Sequence, residues 1–128
     1  MFKVVFTGDR NWTNKRKVEQ TCDKLPPGTI IVVGDCSGLD YLITEYGKSK
    51  GLEVKVYKAQ WNVYGLAAGP LRNKLMNRFI EIENEKPDMI FAFHNNIEKS
   101  KGTINTLNIG RKSGIPCYLF TDTSESSY

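Results

Sequence analysis

The stretch Thr29-Ile-Ile-Val-Val33-Gly34-Asp35-Cys36-Ser37-Gly38-Leu39-Asp40 decides the fold. Thr29 to Val33 is apolar or β-branched without alternation, the pattern of a strand buried on both faces of a parallel sheet. A glycine-bearing turn follows. Leu39, Leu42, Ile43 and Tyr46 then recur at helical spacing until Gly51 closes the stripe. Strand, loop and helix in succession are one unit of an α/β domain.

The same unit recurs on either side. Lys3–Thr7, Glu53–Tyr57, Met89–Phe93 and Cys117–Phe120 read as further strands. Val18, Cys22 and Leu25 mark a helix that Pro26-Pro27-Gly28 ends. Leu71, Leu75, Phe79 and Ile82 mark another, opened by Pro70 and stopped by Pro87. Thr103 to Ser113 reads as the last, with Gly114 and Pro116 beyond it. The expectation is α/β: a single Rossmann-like domain over residues 1–120, with a five-stranded, mostly parallel sheet, helices on both faces, and right-handed crossovers. Residues 121–128, rich in Ser and Thr, read as a flexible tail.

Composition narrows the classes. The chain has 128 residues, 40% hydrophobic and 25% charged, which excludes a disordered or fibrous chain. No apolar run reaches the roughly 18 residues that span a bilayer, and the start lacks the features of a secretory signal. Three separated cysteines and a single histidine form no disulfide framework and no zinc pattern, so no metal is expected and a cytoplasmic setting fits. The net charge of +4 is spread along the sequence rather than gathered into a stripe, and nucleic acid is therefore not the expected partner.

In an open parallel sheet, ligands bind beyond the carboxyl ends of the strands. The residues there are Gly8-Asp9-Arg10-Asn11-Trp12, the loop from Gly34 to Asp40, Ala59-Gln60-Trp61 and His94-Asn95-Asn96. They are mostly glycine, polar or tryptophan, whereas the loops at the opposite edge are plain turns. Gly34-x-x-x-Gly38 would let backbone N–H groups approach an anion at a helix start, or would simply make a tight turn. Asp40 would cap its helix or face a ribose hydroxyl. Lys101-Gly102-Thr103 offers a second phosphate-suited turn. Gly69-Pro70-Leu71-Arg72-Asn73 puts a cation where a helix end is already positive, which suits an anion gripped by Arg72. Trp12, Trp61 and Tyr64 could stack on a base or belong to the core. His94 could act near neutral pH, and Cys36 could be a nucleophile, although a satisfied His and a small buried Cys are the commoner cases.

Taken in order, TGDRNW, GDCSGLDYL, AQWNVYGLAAGPLRNKLM, PDMIFAFHNN and KGT resemble the SLOG superfamily, and within it the YspA/cpYpsA-related group, over about Val4 to Phe120. Its wider membership includes the "lonely guy" phosphoribohydrolases and molybdenum-cofactor carrier proteins. The resemblance implies a nucleotide-derived ligand at the carboxyl edge and a homo-oligomer, dimer or tetramer. It matches Arg72 to the catalytic arginine of the phosphoribohydrolases. Gly102-Thr103 is retained from their phosphate motif, but their catalytic Glu is replaced by Thr106. A binding or sensing module is therefore the leading expectation, without cofactor. The alternative is an N-glycosidase that releases free base from a nucleoside monophosphate. Arg72, Asp9 and Asp40 are its candidate catalytic residues, because glycosidic cleavage calls on carboxylates. The candidate ligand contacts are Gly8, Asp9, Arg10, Trp12, Gly34, Asp35, Ser37, Gly38, Asp40, Trp61, Tyr64, Gly69, Arg72, Asn73, Asn95, Asn96, Lys101, Gly102 and Thr103.

Overall fold

A computed structural model describes residues 2–57 and 87–128. Its strands are β1 (Lys3–Gly8), β2 (Ile30–Gly34), β3 (Glu53–Tyr57), β4 (Met89–Phe93), β5 (Cys117–Phe120) and β6 (Glu125–Ser127). Its α-helices are α1 (Lys15–Asp23), α2 (Leu39–Ser49) and α3 (Lys101–Lys112), with a short 3₁₀ turn at Ile97–Lys99. The helix expected from Pro70 lies outside the described residues.

The sheet runs β3-β2-β1-β4-β5-β6, and every pairing but the last is parallel. The chain winds outward from β1 through β2 to β3 and, beyond β3, resumes at β4 on the other side of β1. This is a Rossmann-like order, and β1 and β4 flank its switch point. The five expected strands are all present.

The unbroken apolar strands cover both faces of the sheet, as the period of two requires. Val4, Phe6, Ile31 and Val33 point to one face, where Val18 and Cys22 of α1 and Leu39 and Ile43 of α2 pack on them. Val5, Val32, Ile90 and Ala92 point to the other, against Leu107 of α3. On the α1 face the carboxyl half of the sheet is aromatic. Phe6 and Phe120 stack on either side of Phe93, and Phe91 meets both edge-on. Each such pair adds roughly 0.5–1.5 kcal/mol beyond area burial, so the strand ends that carry the loops stand on a stiff floor.

Two boundaries differ from the expectation. The first is α3, which starts at Lys101 because Ser100 is its cap: the Thr103 N–H and the Ser100 hydroxyl meet at 3.3 Å, and the two hydroxyls at 2.8 Å. The second is a sixth, antiparallel strand at Glu125–Ser127, in the segment read only as a tail. Its side chains are polar and exposed and carry no strand signal. Its order comes from backbone pairing with β5, a turn in which Thr121 and Ser124 bond each other, and an ion pair from Lys17 to Glu125 at 3.2 Å.

Candidate functional site

At the switch point the carboxyl ends of β1 and β4 part, and a cleft of about 650 Å³ opens above them. Gly8, Asp9 and Arg10 line one side, and Gly34 and Asp40 extend that wall toward α2. Lys101, Gly102 and Thr103 face them from the start of α3. Three segments far apart in sequence thus meet in one cavity. His94, Cys36, Lys99 and Ser100 complete its lining.

The wall is built by backbone. The Asp9 N–H donates to the Phe93 carbonyl at 2.9 Å, which ties the end of β1 to β4. A Cβ on Gly8 would collide with that same carbonyl. The Asp9 carbonyl accepts from Trp12 and from Leu39, and so anchors the first N–H of α2. The Ser37 hydroxyl donates to the Arg10 carbonyl at 2.9 Å. Gly38 has φ +69°, and any Cβ there would strike the Arg10 carbonyl. Its glycine therefore admits the chain's own Asp9–Arg10 turn, and the Gly34-x-x-x-Gly38 loop is locked to that turn rather than open around an anion.

Asp40 is almost fully buried, and its Oδ2 accepts from the Cys36 N–H at 3.1 Å. The cap of α2 is Gly38, without a side-chain cap bond, so this contact holds the preceding loop rather than capping the helix, while the residue still borders the cleft. Asp9 holds its own turn, with Oδ1 accepting from the Asn11 N–H at 2.9 Å. Its Oδ2 lies 3.9 Å from His94 Nε2. The Asn96 N–H donates to His94 Nδ1 at 2.9 Å, so in the neutral ring the proton sits on Nε2, on the Asp9 side. The gap is too long for a direct hydrogen bond. A carboxylate oxygen and an imidazole N–H thus face the cleft side by side, a pairing that the sequence offered only as a lone histidine.

Some expected contacts are placed elsewhere. Trp12 belongs to the core: it meets Phe93 edge-on, and its indole N–H donates to the Asn14 carbonyl at 3.0 Å. The amide of Asn95 is taken up by Asp122, to which it donates at 2.8 Å and from whose N–H it accepts at 2.8 Å. Asn96 serves His94 through its backbone. Asp35 and Ser37 are exposed beside the cleft without lining it. Trp61, Tyr64, Gly69, Arg72 and Asn73 lie outside the described residues. Thr106, at the position of the expected Glu, is fully buried in α3, and its hydroxyl has no partner among the described residues.

The charged residues lining the cleft are the cations Arg10, Lys99 and Lys101, each exposed, against Asp9 and the buried Asp40. Together with the positive end of α3 they suit an anion. Among the described residues no three His, Cys, Asp or Glu side chains gather as metal ligands, and no helix is long and apolar enough to cross a membrane. Two thiols are withdrawn from chemistry. Burial pushes Cys22 up to about 11 and raises Cys117 as well.

Comparison with known proteins agrees with this architecture. Residues 2–64 match the YspA, cpYpsA-related SLOG family, which bears out the resemblance read from the sequence. The match covers the β1–α1–β2–α2–β3 half, including the Asp9 and Gly38 loops. No curated protein matches the chain. The X-ray structure of DNA processing protein A (DprA) from Streptococcus pneumoniae superposes with a TM-score of 0.71 at 14% identity, over 93% of this chain and 50% of that one. This chain thus spans half the length of that protein. The expectation that set nucleic acid aside as a partner is corrected by this neighbour, a DNA processing protein with the same fold. The physical reason lies in the cleft: charges dispersed along the sequence, at Arg10, Lys99 and Lys101, converge in space.

Proposed function

We propose that this chain, whose first half matches a SLOG family, binds a nucleotide or nucleotide-derived ligand in the β1–β4 cleft and acts as a binding or sensing module. The observation that carries this reading is the convergence, at the switch point of the sheet, of Arg10 from the loop after β1 with Lys99 and Lys101 at the start of α3. Phosphate would lie against Gly102, Thr103 and Lys101, where helix N–H groups and an ammonium favour negative charge. Asp9 would accept from a ribose hydroxyl, and His94 Nε2 would donate to an oxygen of the same ligand.

A second reading rests on the Asp9–His94 pair. An N-glycosidase needs a carboxylate near the sugar to stabilise positive charge and orient water, and a proton donor for the departing base. Asp9 and His94 line the cleft with those properties 3.9 Å apart, whereas the other carboxylate of the lining, Asp40, accepts from the Cys36 N–H. Thr106 removes the carboxylate that the phosphoribohydrolase pattern supplies, and this favours binding over hydrolysis.

The test is a panel of nucleoside mono-, di- and triphosphates, read by thermal shift and by chromatography for released base. Binding at a hundredfold excess over Kd would stabilise the fold by roughly 2.7 kcal/mol. The expected result is a shift with at least one nucleotide that is lost in Arg10→Glu/Lys101→Glu. Released base that disappears in Asp9→Asn would select the second reading. A panel that leaves melting unchanged would refute both.

A further inference from the structure

The cleft does not end at Arg10. Arg10 and Asn11 also form the near wall of a second, open cavity of about 590 Å³ over the start of α2. Tyr41, Leu42 and Lys15 line it as well. The two cavities share a wall, so a ligand seated in the first can pass over Arg10 into the second.

Three features give this second cavity a chemistry. Tyr41 is 60% exposed, the most exposed large hydrophobic side chain among the described residues. Its ring lies in the first turn of α2 beside the apolar surface of Leu42. The formal charges of the lining are Arg10 and Lys15, both cations. An exposed aromatic ring that shares a cavity with two cations, one step from a phosphate-suited cleft, is an arrangement that can hold a nucleobase by stacking while its backbone phosphate is neutralised. A mononucleotide would fill only the first cavity.

We infer that Tyr41, Arg10 and Lys15 form a second nucleotide subsite, and that the cleft takes a short single-stranded oligonucleotide with one unit at the start of α3 and the next stacked on Tyr41. The phosphodiester between them crosses the Arg10 wall. This inference rests on the nucleotide-binding reading of the cleft and extends it to the size of the ligand. Stacking tolerates any base, so the subsite confers length preference rather than sequence preference.

The test compares thymidine monophosphate with oligothymidylates of two to six units, by calorimetry at one fixed ionic strength, on the full chain. Affinity is expected to rise at least about tenfold from the mononucleotide to the oligomers, the gain of one stacked base and one phosphate. Tyr41→Ala should abolish that rise while leaving mononucleotide affinity unchanged, and Tyr41→Trp should preserve it, because stacking needs the ring and not the hydroxyl. Tyr41 is exposed, so neither change threatens the fold. An affinity independent of length in the unaltered protein would overturn the subsite while mononucleotide binding stood. So would a length gain that survives Tyr41→Ala. Failure of the monomer and the oligomers alike would sink the nucleotide reading itself.

Discussion

Gly38, at φ +69°, sits directly against the backbone of the Asp9–Arg10 turn. Its spacing from Gly34, after a strand and before a helix, suggested room for an anion. The structure fills that room with the carbonyls of Asp9 and Arg10. A sequence shows that backbone must approach such a glycine, but not whether the backbone belongs to the protein or the approach is a ligand's. The consequence is measurable by urea denaturation. Gly38→Ala adds left-handed strain to a collision with backbone and should cost about 3 kcal/mol or more. Gly51→Ala shares the positive φ, at +75°, but meets nothing within 4 Å, so it should cost only about 1–2 kcal/mol. Equal losses at the two positions would contradict the close-approach account. Trp12 teaches the complementary lesson: an aromatic in a site loop serves the core when its indole N–H finds a carbonyl two residues on.

At the scale of elements, β1, β2 and β4 were legible because burial on both faces leaves an apolar run that little else in a domain of this size requires. The start of α3 was displaced by two residues because Ser100 and Thr103 both have the chemistry of a cap, and only the folded structure decides between them. β6 was illegible because its pairing is made by backbone and its side chains face solvent. That strand has a role at the cleft edge. Asp122, in the turn before it, accepts from Asn14 at 3.0 Å and from Asn95 at 2.8 Å, and so bridges the loops after β1 and β4. Asp122→Ala should lower stability by about 0.5–1.5 kcal/mol, the net worth of a typical intramolecular hydrogen bond. It should also weaken ligand binding without touching the cleft lining. A variant with unaltered melting and unaltered affinity would show that the bridge does not hold those loops.

For the molecule as a whole, the site's location followed from topology before any residue was placed. A parallel sheet that reverses its winding at β1 and β4 opens a crevice there, and the polar, glycine-rich loops already marked that edge. What the sequence concealed was convergence. Arg10 and Lys101 are 91 positions apart in the numbering, yet they line one cavity. Charge scattered along the sequence was read as charge scattered over the surface, and the fold reverses that conclusion. The Asp9–His94 pair was hidden for the same reason, since nothing in a linear sequence pairs the end of the first strand with the end of the fourth.

A nucleotide-type anion at the β1–β4 switch point would be seen by amide NMR on the ¹⁵N-labelled chain titrated with the tightest-binding member of the nucleotide panel. Saturating shifts are expected to concentrate at Gly8, Asp9, Lys101, Gly102 and Thr103, with the β3 edge from Glu53 to Tyr57 unmoved. Saturable binding whose largest shifts fall away from the starts of the β1 loop and α3 would contradict it.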